Sequence, residues 1–94
     1  NQVIDSNSKF SIDSLKKIVE IENILVDKKI DVREIKLEND KIEFKLSSNQ
    51  LIIIDSTTNT KNFMEKLFTM IDYLKQKNLS FQKMDFRFGN VVVE

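Results

Sequence analysis

Two segments of the chain carry apolar residues at helical spacing. The first starts near a possible N-terminal cap at Ser11 or Asp13, and its stripe contains Leu15, Ile18, Val19, Glu22, Leu25 and Val26, widened by Ile21 and Ile24. The second starts after Asn59 or Thr60, and its stripe contains Phe63, Met64, Leu67, Phe68, Ile71 and Leu74. Asn78 follows it and suits a left-handed residue just beyond a helix. The spacing predicts two amphipathic helices.

Between these segments the period of the pattern changes from 3.6 to 2. Apolar and charged residues alternate over 33–37, apart from Arg33 at an inward position, and over 42–46. The turn signal Asn39-Asp40 separates the two segments. This predicts an antiparallel hairpin with one apolar and one charged face. Residues 51–54 are apolar on both faces, which is typical of a central strand.

The last part of the chain alternates again. Met84, Phe86 and Phe88 point one way in an extended chain, and the charged residues between them point the other way. Gly89-Asn90 predicts a two-residue hairpin turn of type II′ into a final strand over 91–93.

The predicted order of elements is α-β-β-β-α-β-β, which indicates an α+β fold. We expect an antiparallel sheet of about five strands with both helices packed on one face and charged residues on the other. Residues 1–94 form a single domain, in which 1–10 are a polar lead-in that is either loose or tied to the sheet. No sequence repeat of 20–50 residues is visible. Because the chain starts at Asn1 without a methionine, we expect it to be an excised piece of a longer protein.

Composition narrows the function. Fifteen Lys and Arg residues balance fifteen Asp and Glu residues, which argues against a nucleic-acid binder or a polybasic membrane-surface segment. The chain has no cysteine or histidine and only one glycine, so the usual metal ligands, the commonest general base and a phosphate-binding loop are missing. We therefore expect no enzymatic activity, no cofactor, no metal and no small-molecule substrate.

Three groups of residues could carry chemistry, and each also has a simpler interpretation. Asp85 and Arg87 could bind a ligand, but on a strand face they are more often solvated neighbours. The serine and threonine hydroxyls at 47–48 and 56–58 have no base to activate them and are typical of turns. A carboxylate metal site is a weak alternative, because the spacing of its candidate ligands matches no EF-hand loop: Asp27, Asp31, Glu34 and Glu38.

The final strand is the remaining candidate site. Sheet edges are normally protected by charge, proline or bulges, and Val91, Val92 and Val93 supply none of these. If this strand lies at an edge, a partner can add a strand beside it. If it is an internal strand, that mode of binding is excluded.

The end of the chain resembles the closing signature of the FtsQ/DivIB cell-division family. That signature is hydrophobic-Asp-hydrophobic-Arg-aromatic, a short turn and a small or β-branched strand, here Met84-Asp85-Phe86-Arg87-Phe88-Gly89-Asn90-Val91-Val92-Val93. The upstream hairpin, the strand at 51–54 and the second helix are similar to the elements that precede the signature. Two features depart from the family: the turn at 47–50 has no glycine, and no aromatic residue follows the last strand before Glu94.

The resemblance implies a non-enzymatic domain of the divisome that supports bacterial septum formation. The parent protein would be anchored by a single membrane-spanning segment, with this domain on the extracytoplasmic side at the division septum. Its partners would be FtsB/DivIC-like and FtsL-like proteins, with a partner tail adding a strand to the sheet. The implied contact residues are Arg87 and Phe88, the turn Gly89 and Asn90, and the receiving strand Val91, Val92 and Val93. The alternative is a structural or adhesive domain of an unrelated bacterial surface protein.

Overall fold

The computed structural model describes residues 3–5 and 12–94 of the chain. Its helices are α1 (Ile12–Asp27) and α2 (Thr60–Gln76). Its strands form one six-stranded sheet in chain order: β1 (Val3–Asp5), β2 (Val32–Glu38), β3 (Lys41–Leu46), β4 (Leu51–Asp55), β5 (Lys83–Asp85) and β6 (Val92–Val93). The α+β class, the two helices and the order of elements from α1 onwards confirm the prediction.

The first strand, β1, lies in the lead-in, which the sequence pattern left as either loose or tied to the sheet. Val3–Asp5 pairs in parallel with β2, so this part of the lead-in is tied to the sheet. The other residues of the lead-in, including the proposed cap Ser11, lie outside the described residues.

The sheet is mixed, whereas we expected it to be antiparallel throughout. α1 connects β1 to β2 and α2 connects β4 to β5, and both of these strand pairs are parallel. A helix that crosses back over the sheet returns the chain to its starting end, so the two strands that it joins run in the same direction. Both crossovers advance the same way along the sheet. Because such crossovers are right-handed, the two helices lie on the same face.

The core lies between the helices and this face of the sheet. The helices contribute Ile18, Ile21, Leu25, Phe63, Leu67 and Leu74, and the strands contribute Ile35, Leu37, Ile42, Phe44, Ile52 and Met84. The opposite face is charged, and β2 and β3 place opposite charges side by side there: Glu34 with Lys45, Lys36 with Glu43, and Glu38 with Lys41. Such pairs favour this register over one shifted by a residue.

Only part of the predicted apolar stripe of α1 is buried. Leu15, Val19 and Val26 remain 41%, 57% and 59% exposed, although they were expected to face the core. α1 therefore carries an apolar flank outside the core, defined here by these three residues. No helix in the described part of the chain has the length and apolar character needed to span a membrane.

Two βαββ units of the same design make up the molecule, namely β1-α1-β2-β3 and β4-α2-β5-β6. The paired residues are Val3, Ile35 and Phe44 in the first unit and Ile52, Met84 and Val93 in the second. Each residue of the second set follows its equivalent in the first by 49 positions. The strand registers of the two units are therefore the same.

Both helices also end in the same way. Lys29 and Asn78, which are 49 positions apart, adopt positive φ angles of 60° and 56°. The next residue donates its N–H back across the cap at 2.8 Å in each unit, from Ile30 to the oxygen of Leu25 and from Leu79 to the oxygen of Leu74. The predicted left-handed conformation of Asn78 is confirmed. This structural repeat is not visible in the sequence, because the two units share a pattern of polarity and few identical residues.

Candidate functional site

β6 lies at one edge of the sheet, and among the described residues it pairs only with β5. The strand itself is Val92–Val93, and Glu94 extends the pairing by donating its N–H to the oxygen of Lys83 at 2.9 Å. The alternative of an internal final strand is therefore excluded for the described chain.

The hydrogen-bonding groups of β6 divide between its two sides. Alternate residues of an antiparallel strand bond to opposite neighbours. Since Glu94 bonds to β5, Val92 also faces β5, while Val93 and, by continuing the alternation, Val91 face away. We define the free edge as the N–H and C=O groups of Val91 and Val93.

Side chains at the free edge point to two different surfaces. Val91 and Val93 pack partly against the core on the helix side. Val92 shares the opposite face with its cross-strand partner Asp85 and is 42% exposed. A strand added here would therefore meet apolar side chains towards the helices.

The connection from β5 to β6 is longer than the predicted two-residue turn. Asp85 pairs with Val92, so residues 86–91 bridge the two strands. Gly89 does not have a positive φ, which a type II′ turn requires. A Cβ placed on Gly89 would meet no atom within 4 Å, so close packing does not require glycine there either. The predicted turn at Gly89-Asn90 is wrong.

The chain leaves the strand direction after Asp85 because the Asp85 carboxylate binds the residue two positions further on. Oδ1 accepts the backbone N–H and the side-chain Nε of Arg87, each at 3.0 Å, and Oδ2 accepts Nη2 at 2.7 Å. A local bond from an Asp side chain to the backbone two residues on favours a turn over a continued strand. Asp85 is only 5% exposed, so its interpretation as one of two solvated neighbours is wrong.

The contact between Asp85 and Arg87 shifts the pKa of both side chains. The side-chain hydrogen bonds from Arg87 hold the pKa of Asp85 below its usual value, although burial acts in the opposite direction. The same contact raises the pKa of Arg87 above its usual value. Since Nε and one N–H of Nη2 are bonded to Asp85, a partner carboxylate can bind only the two N–H groups of Nη1 and the remaining N–H of Nη2. Arg87 contributes to the site first by shaping the loop at 86–90.

Phe88 lies beside the start of α2, where it lines a pocket with Asn62 and Lys66. Its phase with Met84 and Phe86 favoured the core, and those two residues are indeed buried, but Phe88 is 58% exposed. The turn after Asp85 breaks the alternation on which the expectation depended. The Phe88 ring lies 5.3 Å from Cζ of Arg87, a distance at which a cation is attracted to an aromatic face. Phe88 is therefore available to a partner.

A groove of about 430 Å³ runs beside the free edge, between α2 and the 89–91 segment. Its lining residues are Glu65, Lys66, Thr69, Met70, Gly89, Asn90 and Val91. Nζ of Lys66 donates to the oxygen of Gly89 at 2.9 Å and so ties the loop to the helix. Sequence reasoning missed the α2 wall of this groove, because spacing shows which residues share a helix flank but not which strand that flank overlooks.

The carboxylates considered for a metal site do not converge. No group of three acidic side chains that could hold a metal ion occurs within residues 3–5 and 12–94. One of the candidates, Asp31, accepts a hydrogen bond from the hydroxyl of Ser47 at 2.6 Å.

Comparison with known proteins adds no relative to these observations. No protein-family model and no curated protein matches this chain.

Proposed function

We propose that this domain is a binding module that receives an extended segment of a partner protein at the free edge. The observation that carries the proposal is the position of β6, an uncharged valine strand without proline at the end of the sheet. Backbone hydrogen bonds to Val91 and Val93 would supply affinity, and side chains of the incoming strand would supply specificity.

The surroundings of the free edge support this proposal. The groove beside it can take side chains of the incoming strand on the helix side, against Met70 and Val91. On the loop, Phe88 offers an exposed aromatic ring, a residue type that is enriched in interface cores. Of the residues implied by the resemblance, Gly89, Asn90 and Val91 line this groove.

For the partner we propose a division protein, because the closing residues resemble those of the FtsQ/DivIB family. In this role the domain is a non-enzymatic scaffold on the extracytoplasmic side of the membrane at the septum. It would receive the tail of an FtsB/DivIC-like protein in a complex that also contains an FtsL-like protein.

The test is a titration of the chain with a fluorescent peptide that comprises the tail of the FtsB/DivIC-type protein of the same genome. Val93→Pro removes an outward-facing donor without removing a bond to β5, so we expect about tenfold weaker binding at an almost unchanged melting temperature. Val93→Ala is the matched control, because it trims the side chain but keeps the N–H.

A second pair of variants tests the rim. Phe88→Ala should weaken binding about fivefold or more, as expected for an aromatic anchor. Val19→Ser removes an equally exposed apolar residue from the far helix flank and should leave peptide binding unchanged. Equal binding by the wild type and Val93→Pro would refute strand addition. A tail that does not bind the wild type would contradict the division role and favour the structural or adhesive alternative.

A further inference from the structure

The two βαββ units meet inside the molecule at a junction with two parts. In the sheet, β3 of the first unit pairs antiparallel with β4 of the second, and Phe44 lies opposite Ile52. Above the sheet, α1 meets α2: Nζ of Lys28 lies 4.0 Å from the centroid of the Phe68 ring, and Nζ of Lys17 donates to Oγ1 of Thr60 at 2.9 Å. The last strand and helix of one unit thus meet the first strand and helix of the next.

Both halves of this junction recur at the two ends of the sheet, where β1 and β6 have no second strand partner among the described residues. β6 is the equivalent of β3, and β1 is the equivalent of β4. Ile52 faces β3, because its neighbour Leu51 donates its N–H to Gln82 on the β5 side. By the 49-position equivalence, the backbone groups of Val3 face outward from β1. The free edge of β6 and the outer edge of β1 therefore carry the two complementary sets of backbone groups that bond in β3 and β4.

The outer flank of α1 shows the same relation. Its exposed residues Leu15 and Val19 are the equivalents of Met64 and Phe68, which lie on the side of α2 that faces α1. Phe68 is partly buried against the core and against Lys28, whereas Val19 is 57% exposed. At these two positions a side chain that is partly covered in the second unit is exposed in the first, and contiguous exposed apolar residues are typical of interaction surfaces. The third residue of the flank, Val26, corresponds to the exposed Lys75.

The outer flank of α2 completes the set. Lys66, Tyr73 and Lys77 lie on one side of α2 by helical spacing, and they are the equivalents of Lys17, Ile24 and Lys28 on the side of α1 that meets α2. Ile24 packs against the core, but Tyr73 is 51% exposed. The α1 and α2 flanks thus resemble the two halves of the internal helix contact, with the difference that Nζ of Lys66 bonds to the oxygen of Gly89 in its own chain.

We infer that two copies of this chain associate head to tail, with β1 of one copy added antiparallel to β6 of the other. The register follows from the internal junction: Val3 lies opposite Val93 and Asp5 lies opposite Val91, which joins the two outward-facing sets of groups. The α1 flank of the first copy covers the α2 flank of the second. The chain has no formal net charge, so long-range repulsion does not oppose the contact.

Two different surfaces meet in this contact, so it does not close on itself as a two-fold dimer does. Each added copy leaves a new free β6 and a new free β1, and the association continues as a concentration-dependent series. The inference goes beyond the proposed function and does not depend on a division partner. A partner tail and a second copy would compete for the same free edge.

The decisive experiment uses two variants of the 94-residue chain in sedimentation velocity at about 10 µM to 1 mM, a range suited to a contact of short strands. Val3→Pro blocks the outward donor of β1 and leaves β6 intact, and Val93→Pro blocks β6 and leaves β1 intact. We expect the wild type to form a series of oligomers, each variant alone to remain monomeric, and their mixture to form a one-to-one dimer that does not grow.

Helix variants provide an independent measurement. Val19→Ser should weaken self-association about fivefold or more, while Asn23→Ser on the exposed top of the same helix should not. At chain concentrations below the range of self-association, Val19→Ser should leave binding of the division peptide unchanged, so failure of this inference is distinguishable from failure of the proposed function. A wild type that stays monomeric at 1 mM overturns the inference. So does a Val3→Pro variant that still dimerises, since it would indicate a symmetric contact between two β6 strands.

Discussion

At the scale of single residues, Asp85 and Arg87 determine the shape of the candidate site. Sequence spacing placed them on one face of a continuous strand, which predicts two solvated side chains. In the structure the Asp85 carboxylate takes the N–H, Nε and Nη2 of Arg87, and the strand ends there. An Asp ends a strand when its side chain accepts a hydrogen bond from a nearby backbone N–H, as Asp85 does from Arg87. The alternating pattern of residues does not show whether that hydrogen bond forms.

Asp85→Asn should lower the free energy of unfolding by about 1–3 kcal/mol at pH 7, because a charged and largely buried hydrogen-bond acceptor is lost. The pKa of Asp85 is lowered in the folded state. Its contribution is therefore complete above the unfolded value of about 3.9 and is lost as the pH falls through the lower folded value.

Urea unfolding of the wild type and Asp85→Asn between pH 7 and pH 2.5 measures this effect. The gap in stability should be constant above about pH 5 and narrow in more acidic solution. Glu43→Gln, on the same face, is the control and should show a smaller gap. A gap for Asp85→Asn that does not narrow at low pH would contradict the assignment.

At the scale of elements, the helices and most strands could be predicted, but their ends and partners could not all be. Asn59 was one of two proposed caps, and its side chain accepts the N–H of Asn62 at 2.9 Å. Asn78 was expected in the left-handed region because Asn tolerates it. Lys29 adopts the same conformation without that preference, and the cap bond from Ile30 to the oxygen of Leu25 accompanies it.

Lys29→Asn should stabilise the protein by about 0.5–1 kcal/mol, because a left-handed conformation costs Asn less than Lys. The reverse change at the equivalent cap, Asn78→Lys, should destabilise it by a similar amount. Thermal unfolding of both variants at neutral pH measures the two shifts. Shifts of the same sign would show that the caps are not equivalent in energy.

At the scale of the whole molecule, two small units share one sheet and one core. Each unit has fewer than 50 residues, and chains of that length seldom bury enough surface to fold alone. The β3–β4 pairing and the contact between α1 and α2 join the units. The stability of either unit should therefore depend on the other.

Cutting the chain in the turn between Ser48 and Asn49 tests this dependence. We expect residues 1–48 and 49–94 to be largely unfolded when separate and to regain the native circular dichroism spectrum when mixed in equal amounts. The control is either fragment alone at the total concentration of the mixture, which should not give the native spectrum. Fragments that fold fully in isolation would show that the units are independent.

The sequence by itself determined the class of the fold, because helical and alternating apolar patterns set which residues each element can bury. It also determined that one face of the sheet is charged, since Lys and Glu alternate with the buried positions. Tertiary structure decided the parallel pairings, the position of β6 at the edge and the exposed flank of α1. These depend on which elements become neighbours, and neighbours are chosen by crossover direction and packing between distant parts of the chain, which local periodicity does not record.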